Sequence, residues 1–530
     1  MTAEPVDPGR LDAFLRDGAS FGAPGAEVER ITTHAALILL VADRAYKMKR
    51  TVRYSFLDFS TLDQRKRALE AELRLNRRTA PTLYRRLVAI TVDAAGQLAL
   101  DGDGEPVEWV LEMNRFDQAA LLDRIAERGA LEAVSVDDLA REIAAFHREA
   151  EQRTDPRDQT SMADVIGGNA GDLRSLVGPV FDASQVREVN QASQATLERV
   201  QQLLEERRAS GFVRHCHGDL HLGNIVLLDG TPVLFDCLEF DDKLATIDTF
   251  YDLAFLIMDL LHRNLGPLAH RLLNGYLDAT SDDAGTALLP LFLSCRAAIR
   301  AKITGFAAGA QTRTEDRDAE TSAARAYLDL ALRLLQPPPP SLVAVGGLSG
   351  TGKSTLAHAL APQLGAAPGA VVLRTDVIRK AMFGVAATEP LRSEAYHEDI
   401  SLRVYDIMIS RARTLIESGH AVILDALFLD PSHRARAERI AVESEVPFEG
   451  FWLTASAATL RDRVAKRRAD ASDATVAVLE GQLTADPGHI SWTQLDASGG
   501  ASSVVQAARS VLVGRSVRQE HGSSAQPAVP

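Results

Sequence analysis

The chain has 530 residues, 46% of them hydrophobic and 25% charged, which is the make-up of a soluble protein too long for a single core. Its formal net charge of -14 argues against duplex DNA or an anionic membrane as the main partner, because phosphate binding wants a basic surface. Three cysteines, Cys216, Cys237 and Cys295, form no C-x-x-C and no paired framework, so a reducing compartment is expected and structural zinc is not.

The N-terminal "MTAEPVDPGRLDAF" has no basic region followed by an apolar run, and no signal peptide is expected. "ALILLVADRAYKMKR" (36 to 50) reads as two strands joined at "ADR", and "TLDQRKRALEAELRLNRR" (61 to 78) as a charged amphipathic helix. "LVAITVD", "GQLALDG" and "VEWVLEMNRF" add strands, and from "LLDRIAERG" onward the pattern is mostly helical. A strand-rich small lobe, about 1 to 115, thus precedes a larger helical lobe, about 116 to 335. "LAFLIMDLL" (253 to 261) is the most apolar stretch but falls short of the roughly 18 residues of a membrane span. A cytoplasmic protein is expected.

"HGDLHLGN" (217 to 224) interrupts the helical lobe between "GFVRHC" and "IVLLDGTPVLFD". Phosphoryl transfer is largely positioning and charge neutralisation, so a fixed loop can serve it with an aspartate for the attacking hydroxyl and an asparagine for a metal. His217, Asp219 and Asn224 fill H-x-D-x-x-x-x-N, and Asp236, across the "DG" hairpin, stands where a second metal ligand belongs. His221 reads as a hydrogen-bonding residue of the loop rather than a catalyst.

"QPPPP" (336 to 340) stops the helix "AARAYLDLALRLL" and is taken as a stiff linker to a second domain, 341 to 514. There strands and helices alternate, which predicts a parallel sheet with helices on both faces. "GLSGTGKS" (347 to 354) fits G-x-x-x-x-G-K-[ST] with a strand before it and a helix after it. Gly347, Gly350 and Gly352, with Thr351 and Thr355 beside them, would turn backbone N–H groups toward phosphates. Lys353 would reach the terminal phosphates, Ser354 would ligate magnesium, and Asp425, ending the strand in "AVILDALF", would hold the magnesium shell. Asp376 and Arg379 in "RTDVIRK" lie at the carboxyl edge of the sheet, where open α/β sheets bind ligands. "LRDRVAKRR" (460 to 468) is a basic helix, and "RSVRQEHGSSAQPAVP" (515 to 530) is expected to be disordered.

Through "GLSGTGKS", Asp376, Arg379 and Asp425, the second domain resembles small P-loop kinases of the gluconate kinase and zeta-toxin type. That likeness implies Asp376 as a catalytic residue near the acceptor, and Arg463, Arg467 and Arg468 as a lid over the phosphates. Through "HGDLHLGN", "FDCLEF" and "IDTFYDLAFLIMDL", the first part resembles the aminoglycoside phosphotransferase and protein-kinase-like superfamily. The resemblance implies ATP and Mg2+ as cofactors, Asp219 as catalytic base within the His217 loop, and Asn224 and Asp236 as metal ligands. It also implies a lysine on a small-lobe strand, Lys47 or Lys49, paired with Glu72 or Glu70, and a hinge at Glu112 and Met113 meeting the adenine. No G-x-G-x-x-G precedes the lysine strand, so coverage of the phosphates differs from protein kinases.

The fold class expected is a two-lobed α+β kinase-like domain followed by an α/β P-loop domain. The combination resembles bacterial two-domain proteins that join these two modules. The function expected is ATP-dependent transfer to a hydroxyl of a small polar molecule, amino-sugar or aminoglycoside-like, with no nucleic-acid or membrane partner. "EFDD" (239 to 242) and Asp248 hint at a cationic acceptor. The alternative is a regulator in which ATP switches conformation without a product.

Overall fold

The computed structural model describes residues 7 to 522, apart from 34, 55, 56, 132, 387 and 468 to 470. The chain packs as two compact units, residues 1 to 167 with 201 to 259, and residues 168 to 200 with 260 to 530. The sequence places the boundary at the prolines, but part of the helical lobe packs with the P-loop sheet. Proline stiffness marks where the backbone cannot be helical, whereas burial decides which segments share a core.

The first unit holds a six-stranded sheet in the order β1 (Val28–Thr32), β2 (Ala36–Val41), β3 (Arg44–Lys49), β6 (Glu105–Asn114), β4 (Tyr84–Val92), β5 (Leu98–Leu100). Every neighbouring pair is antiparallel. Both faces are covered, which is why "ALILLV" is apolar throughout rather than alternating. Leu39, Val41 and Tyr46 enter one core with Leu15 and Phe21, while Leu40 and Ala45 enter another with Leu69.

Helix α1 (Leu62–Asn76) opens with Thr61 and Gln64 capping each other reciprocally. Its buried residues, Arg65, Ala68, Leu69, Glu72, Leu75 and Asn76, recur at three and four positions, so one face meets the sheet. Glu72 lies on that face, and Glu70 points outward to Lys66. The hairpin of β7 (Ile225–Leu228) and β8 (Thr231–Leu234) turns at Asp229 and Gly230, both with positive φ, the geometry that matches strand twist.

The second unit holds a five-stranded parallel sheet in the order β10 (Val371–Arg374), β11 (Val422–Asp425), β9 (Leu342–Gly347), β12 (Phe448–Thr454), β13 (Thr493–Asp496). Val343, Val345, Ile423, Phe451 and Leu453 pack on Leu356 and Leu360 of α7 (Lys353–Leu360) and on Val504 and Ala508 of α11 (Ala501–Gly522). Helix α11 runs into the stretch expected to be disordered, and 523 to 530 lie outside the described residues.

Residues of the helical lobe also enter this unit. Asp283 makes a bidentate pair with Arg411 at 2.7 and 2.8 Å, and buried His420 donates from Nε2 to the Thr286 carbonyl at 3.1 Å. Burial pushes the His420 pKa down to about 4. The unfolded chain takes up a proton below its ordinary 6.5, but the folded one does so only near 4. The stabilisation is therefore full above 6.5 and lost as pH falls toward 4, on the order of 3 kcal/mol. Calorimetry between pH 6.5 and 4.5 is expected to show a steeper fall in unfolding temperature for the native chain than for His420→Gln, and parallel slopes would refute the account.

Candidate active sites

In the first unit, alternation along β3 puts Ala45, Lys47 and Lys49 on the face against α1. Glu72, wholly buried, forms ion pairs with both lysines, Oε1 lying 2.7 Å from Lys47 Nζ and Oε2 2.7 Å from Lys49 Nζ. Lys47 Nζ also reaches Asp236 Oδ1 at 2.6 Å, and Lys49 bonds Glu239. Burial pulls both ammonium groups down, but Asp236 and Glu72 around Lys47, and Glu239 and Glu72 around Lys49, outweigh it and raise both pKa values. Burial likewise opposes the Glu72 charge, yet the two lysines hold its pKa down to about 2. The lysine that faces Asp236 is Lys47; Lys49 is held inside with Glu239.

The loop that carries Asp219 hangs from one buried aspartate of "YDLAF". Asp252 accepts the backbone N–H of His217 at 3.0 Å and of Gly218 at 2.9 Å, with His147 Nε2 at 3.1 Å. Gly218 has φ +84, a conformation open to glycine and costly for other residues. Asn224 donates from Nδ2 to the Asp219 carbonyl at 2.9 Å and to Asp219 Oδ2 at 3.0 Å. With Nδ2 so committed, Oδ1 is the atom of Asn224 left for a cation. Oxygen donors from Asn224 and Asp236 suit a hard divalent ion such as Mg2+. Asp236 has φ +62, its N–H donates to the Tyr84 hydroxyl at 3.2 Å, and the next N–H, of Cys237, donates to Asn76 Oδ1 at 2.9 Å.

Three expectations are corrected. His217 is wholly buried and its Nε2 donates to the Phe235 carbonyl at 2.9 Å, so it ties the loop to the strand end before Asp236 instead of meeting a substrate. Burial opposes its charge, but Cys237, Asp252 and Asp219 push its pKa up to about 9. Glu112 and Met113 form no open hinge: β6 is paired on both sides there, and even Asn114 and Arg115 give their N–H groups to Leu83 and Asp43. The Glu112 side chain accepts Arg85 and Arg86 at 3.0 and 2.9 Å. Nor do Glu239, Asp241 and Asp248 make a cationic subsite, because Glu239 is committed to Lys49, Asp241 caps a helical turn, and Asp248 pairs with Arg207 at 2.7 Å. His221 accepts the Gly223 N–H at 3.1 Å, the loop role expected of it.

In the second unit, Gly347, Gly350 and Gly352 have φ of +136, +87 and +91, and Gly352 is the residue before α7. A side chain at Gly347 would meet the Leu453 carbonyl at 2.6 Å. Ser354 Oγ lies 2.6 Å from Asp425 Oδ2, and Arg374 Nε lies 3.3 Å from the same oxygen. The hydroxyl and carboxylate converge as a shared magnesium shell requires. Lys353 donates to the Leu348 carbonyl at 3.1 Å. Burial lowers its pKa, against Asp425 and Asp376.

A cavity of about 1100 Å³ joins Lys353, Ser354 and Asp425, with Thr351 and Thr355, to Asp376, Arg379 and Arg467, large enough for a nucleotide beside a small acceptor. Burial first, and the Asp425 charge second, raise the Asp376 pKa, which favours its taking a proton. Arg379 is held by the Ala395 carbonyl at 2.6 Å and Ser401 Oγ at 3.3 Å, over the Tyr396 ring. Arg463 donates to the Gly350 carbonyl at 3.4 Å, so it touches the loop from α10 (Ala457–Lys466), while Arg468 lies outside the described residues. Sequence reading missed Arg374, Tyr396 and Asp473; Asp473 accepts Lys380 at 3.0 Å and the Tyr396 hydroxyl at 2.6 Å. None of them belongs to a spaced motif.

Fold and sites define a kinase-like phosphotransferase joined to a second, P-loop nucleotide site. Two family models match, the phosphotransferase enzyme family over residues 62 to 289 and the AAA domain over residues 342 to 485. Proteins of Mycobacterium tuberculosis H37Rv and Mycobacterium bovis, both named as uncharacterized, are 32% identical over 495 residues, 90% of this chain and 95% of theirs. The chain belongs to their family, with the phosphotransferase domain first and the P-loop domain second. Among solved structures it is similar to a choline/ethanolamine kinase family protein from Mesorhizobium loti (11% identity, 62% of this chain and 99% of that one, TM-score 0.38). It is also similar to a gluconokinase from Sinorhizobium meliloti (23% identity, 35% and 98%, TM-score 0.26). Among the described residues no helix is long and apolar enough to cross a membrane.

Proposed function

We propose that the first domain transfers the γ-phosphate of ATP to a hydroxyl of a small polar molecule, with Mg2+, and that the P-loop domain is a second ATP-dependent kinase centre. The observation that carries this reading is two bonded groups, Glu72–Lys47–Asp236 and Asn224–Asp219, brought together where the Phe235 N–H donates to the Asn224 carbonyl at 3.0 Å. Lys47 neutralises phosphate charge, and Glu72 keeps it aimed. Asp219 takes the proton from the acceptor hydroxyl as its oxygen bonds to phosphorus and the bond to ADP breaks. A magnesium ion held by Asn224 and Asp236 would offset charge on the phosphates. With the acidic run committed elsewhere, neutral sugars and polyols stand beside amino sugars and aminoglycosides as acceptors.

The experiment is product mass spectrometry with ATP and a panel of those acceptors, on the native chain, Asp219→Asn and Lys353→Ala. Lys353→Ala is expected to weaken nucleotide binding at the P-loop by about 100-fold or more while leaving product made by the first domain, since removing a buried charge partner of phosphate costs about 3 kcal/mol. Unchanged nucleotide binding in that variant would refute the P-loop assignment, and products unchanged in Asp219→Asn would refute the other.

A further inference from the structure

Strand β10 is an edge strand, and an edge exposes alternate N–H and C=O groups with no ladder partner. On its inner side it pairs with β11, from Val371 opposite Val422 to Arg374 opposite Asp425. On its open side a helix takes the place of a sixth strand. Helix α4 (Gly266–Thr280) carries His270 and Asn274 four residues apart, on one face. His270 donates from Nε2 to the Ala370 carbonyl at 3.0 Å, and Asn274 Oδ1 accepts the Val372 N–H at 2.8 Å. Asn274 Nδ2 donates back to the His270 carbonyl at 2.9 Å, which fixes the amide with its oxygen toward the strand. Both side chains are buried, so these bonds are shielded from water. The His270 ring also lies 6.2 Å, edge to face, from His358 on the helix after the phosphate loop.

The consequence runs along the chain. Strand β10 ends at Arg374, whose guanidinium meets Asp425, and passes without a break into α8 (Thr375–Met382), which carries Asp376 and Arg379. Residues that precede the prolines, and that fall within the phosphotransferase family match, thus fix the strand that aims the acceptor side of the other centre.

We propose that His270 and Asn274 are positioning residues of the P-loop centre, acting through β10 on Arg374 and Asp376. The kinetic half of this rests on the proposed kinase activity of that centre; the strand-fixing half does not. Nucleotide binding depends on the loop after β9, and among the described residues the hydrogen bonds of His270 and Asn274 go to β10 and to α4 itself, so the two residues govern turnover more than ATP affinity.

The test uses the full chain carrying Asp219→Asn, so that transfer depending on Lys353 is read alone. By amide hydrogen exchange, His270→Leu and Asn274→Leu are expected to lower protection of Val372 by about 10- to 100-fold relative to β11 amides, the range for a buried donor left unpaired. His270→Gln, which keeps a donor, and Asn274→Asp, which keeps an acceptor, are expected to retain most of it. In the Leu variants kcat for transfer is expected to fall about tenfold or more with KM for ATP within about twofold, and the conservative variants are expected to recover it. Unchanged Val372 protection and kcat in the Leu variants overturn the proposal, as does an equal loss in Leu and conservative variants. If no transfer depends on Lys353 even in the parent chain, the kinase reading of this domain fails, and the exchange data decide whether α4 fixes the strand.

Discussion

Asp219→Asn is expected to lower kcat for phosphate transfer by the first domain about 10²- to 10⁴-fold, the usual weight of a positioned general base, with KM for ATP within about twofold. Size and shape are conserved, and an amide oxygen at this position still accepts the Asn224 Nδ2 bond made at 3.0 Å. What disappears is the capacity to take the hydroxyl proton. Lys47, Glu72 and Asp236 are untouched, so nucleotide binding is expected to persist. Single-turnover measurements in a Lys353→Ala background isolate the first domain. A kcat unchanged within experimental error would assign the proton to another group, and a matching loss of ATP affinity would make Asp219 a ligand of the nucleotide complex instead of the base.

The phosphate cradle and the Asp219 loop were legible in the sequence because each is local: a few residues at fixed spacing, framed by strand and helix signals. What needed the third dimension is of another kind. Period-two alternation puts Lys47 and Lys49 on the same face, so no pattern separates them; only Asp236, brought in from 189 residues away, marks Lys47. Helical spacing allows either Glu70 or Glu72, and the buried face of α1 selects Glu72. The hinge expectation failed because ladder length is set by partner strands, which reach Met113 on one side and Asn114 on the other. "EFDD" and Asp248 hint at a cationic acceptor until Lys49 and Arg207 supply buried cations for Glu239 and Asp248. The prolines were visible, yet the hydrogen bonds of His270 and Asn274 to β10 cross them and leave no trace in composition.

Glu72→Leu is expected to be the most destabilising single change in the first unit. The carboxylate lies between two buried ammonium groups at 2.7 Å each, and its removal leaves, among the described residues, Lys47 with the Asp236 carboxylate and Lys49 with that of Glu239. Breaking a buried pair costs about 3 to 5 kcal/mol, because the remaining charge stays desolvated. Glu72→Gln, which keeps the shape and an acceptor oxygen, is expected to cost less. The pH dependence follows from the depressed pKa: the Glu72 contribution is present above the ordinary 4.5 and is lost as pH falls toward about 2. The difference in stability between the native chain and Glu72→Leu should therefore be constant from pH 7 to about 5 and shrink below 4.5, read by exchange of β3 amides. Transfer by the first domain should fall at least about 100-fold in the same variant, since Lys47 then follows Asp236 rather than the phosphates, while transfer dependent on Lys353 is unchanged. Equal stability of the two chains at pH 7 would mean that Lys47 and Lys49 are satisfied by Asp236 and Glu239 without Glu72, and that the buried carboxylate neither supports the fold nor aims the lysine.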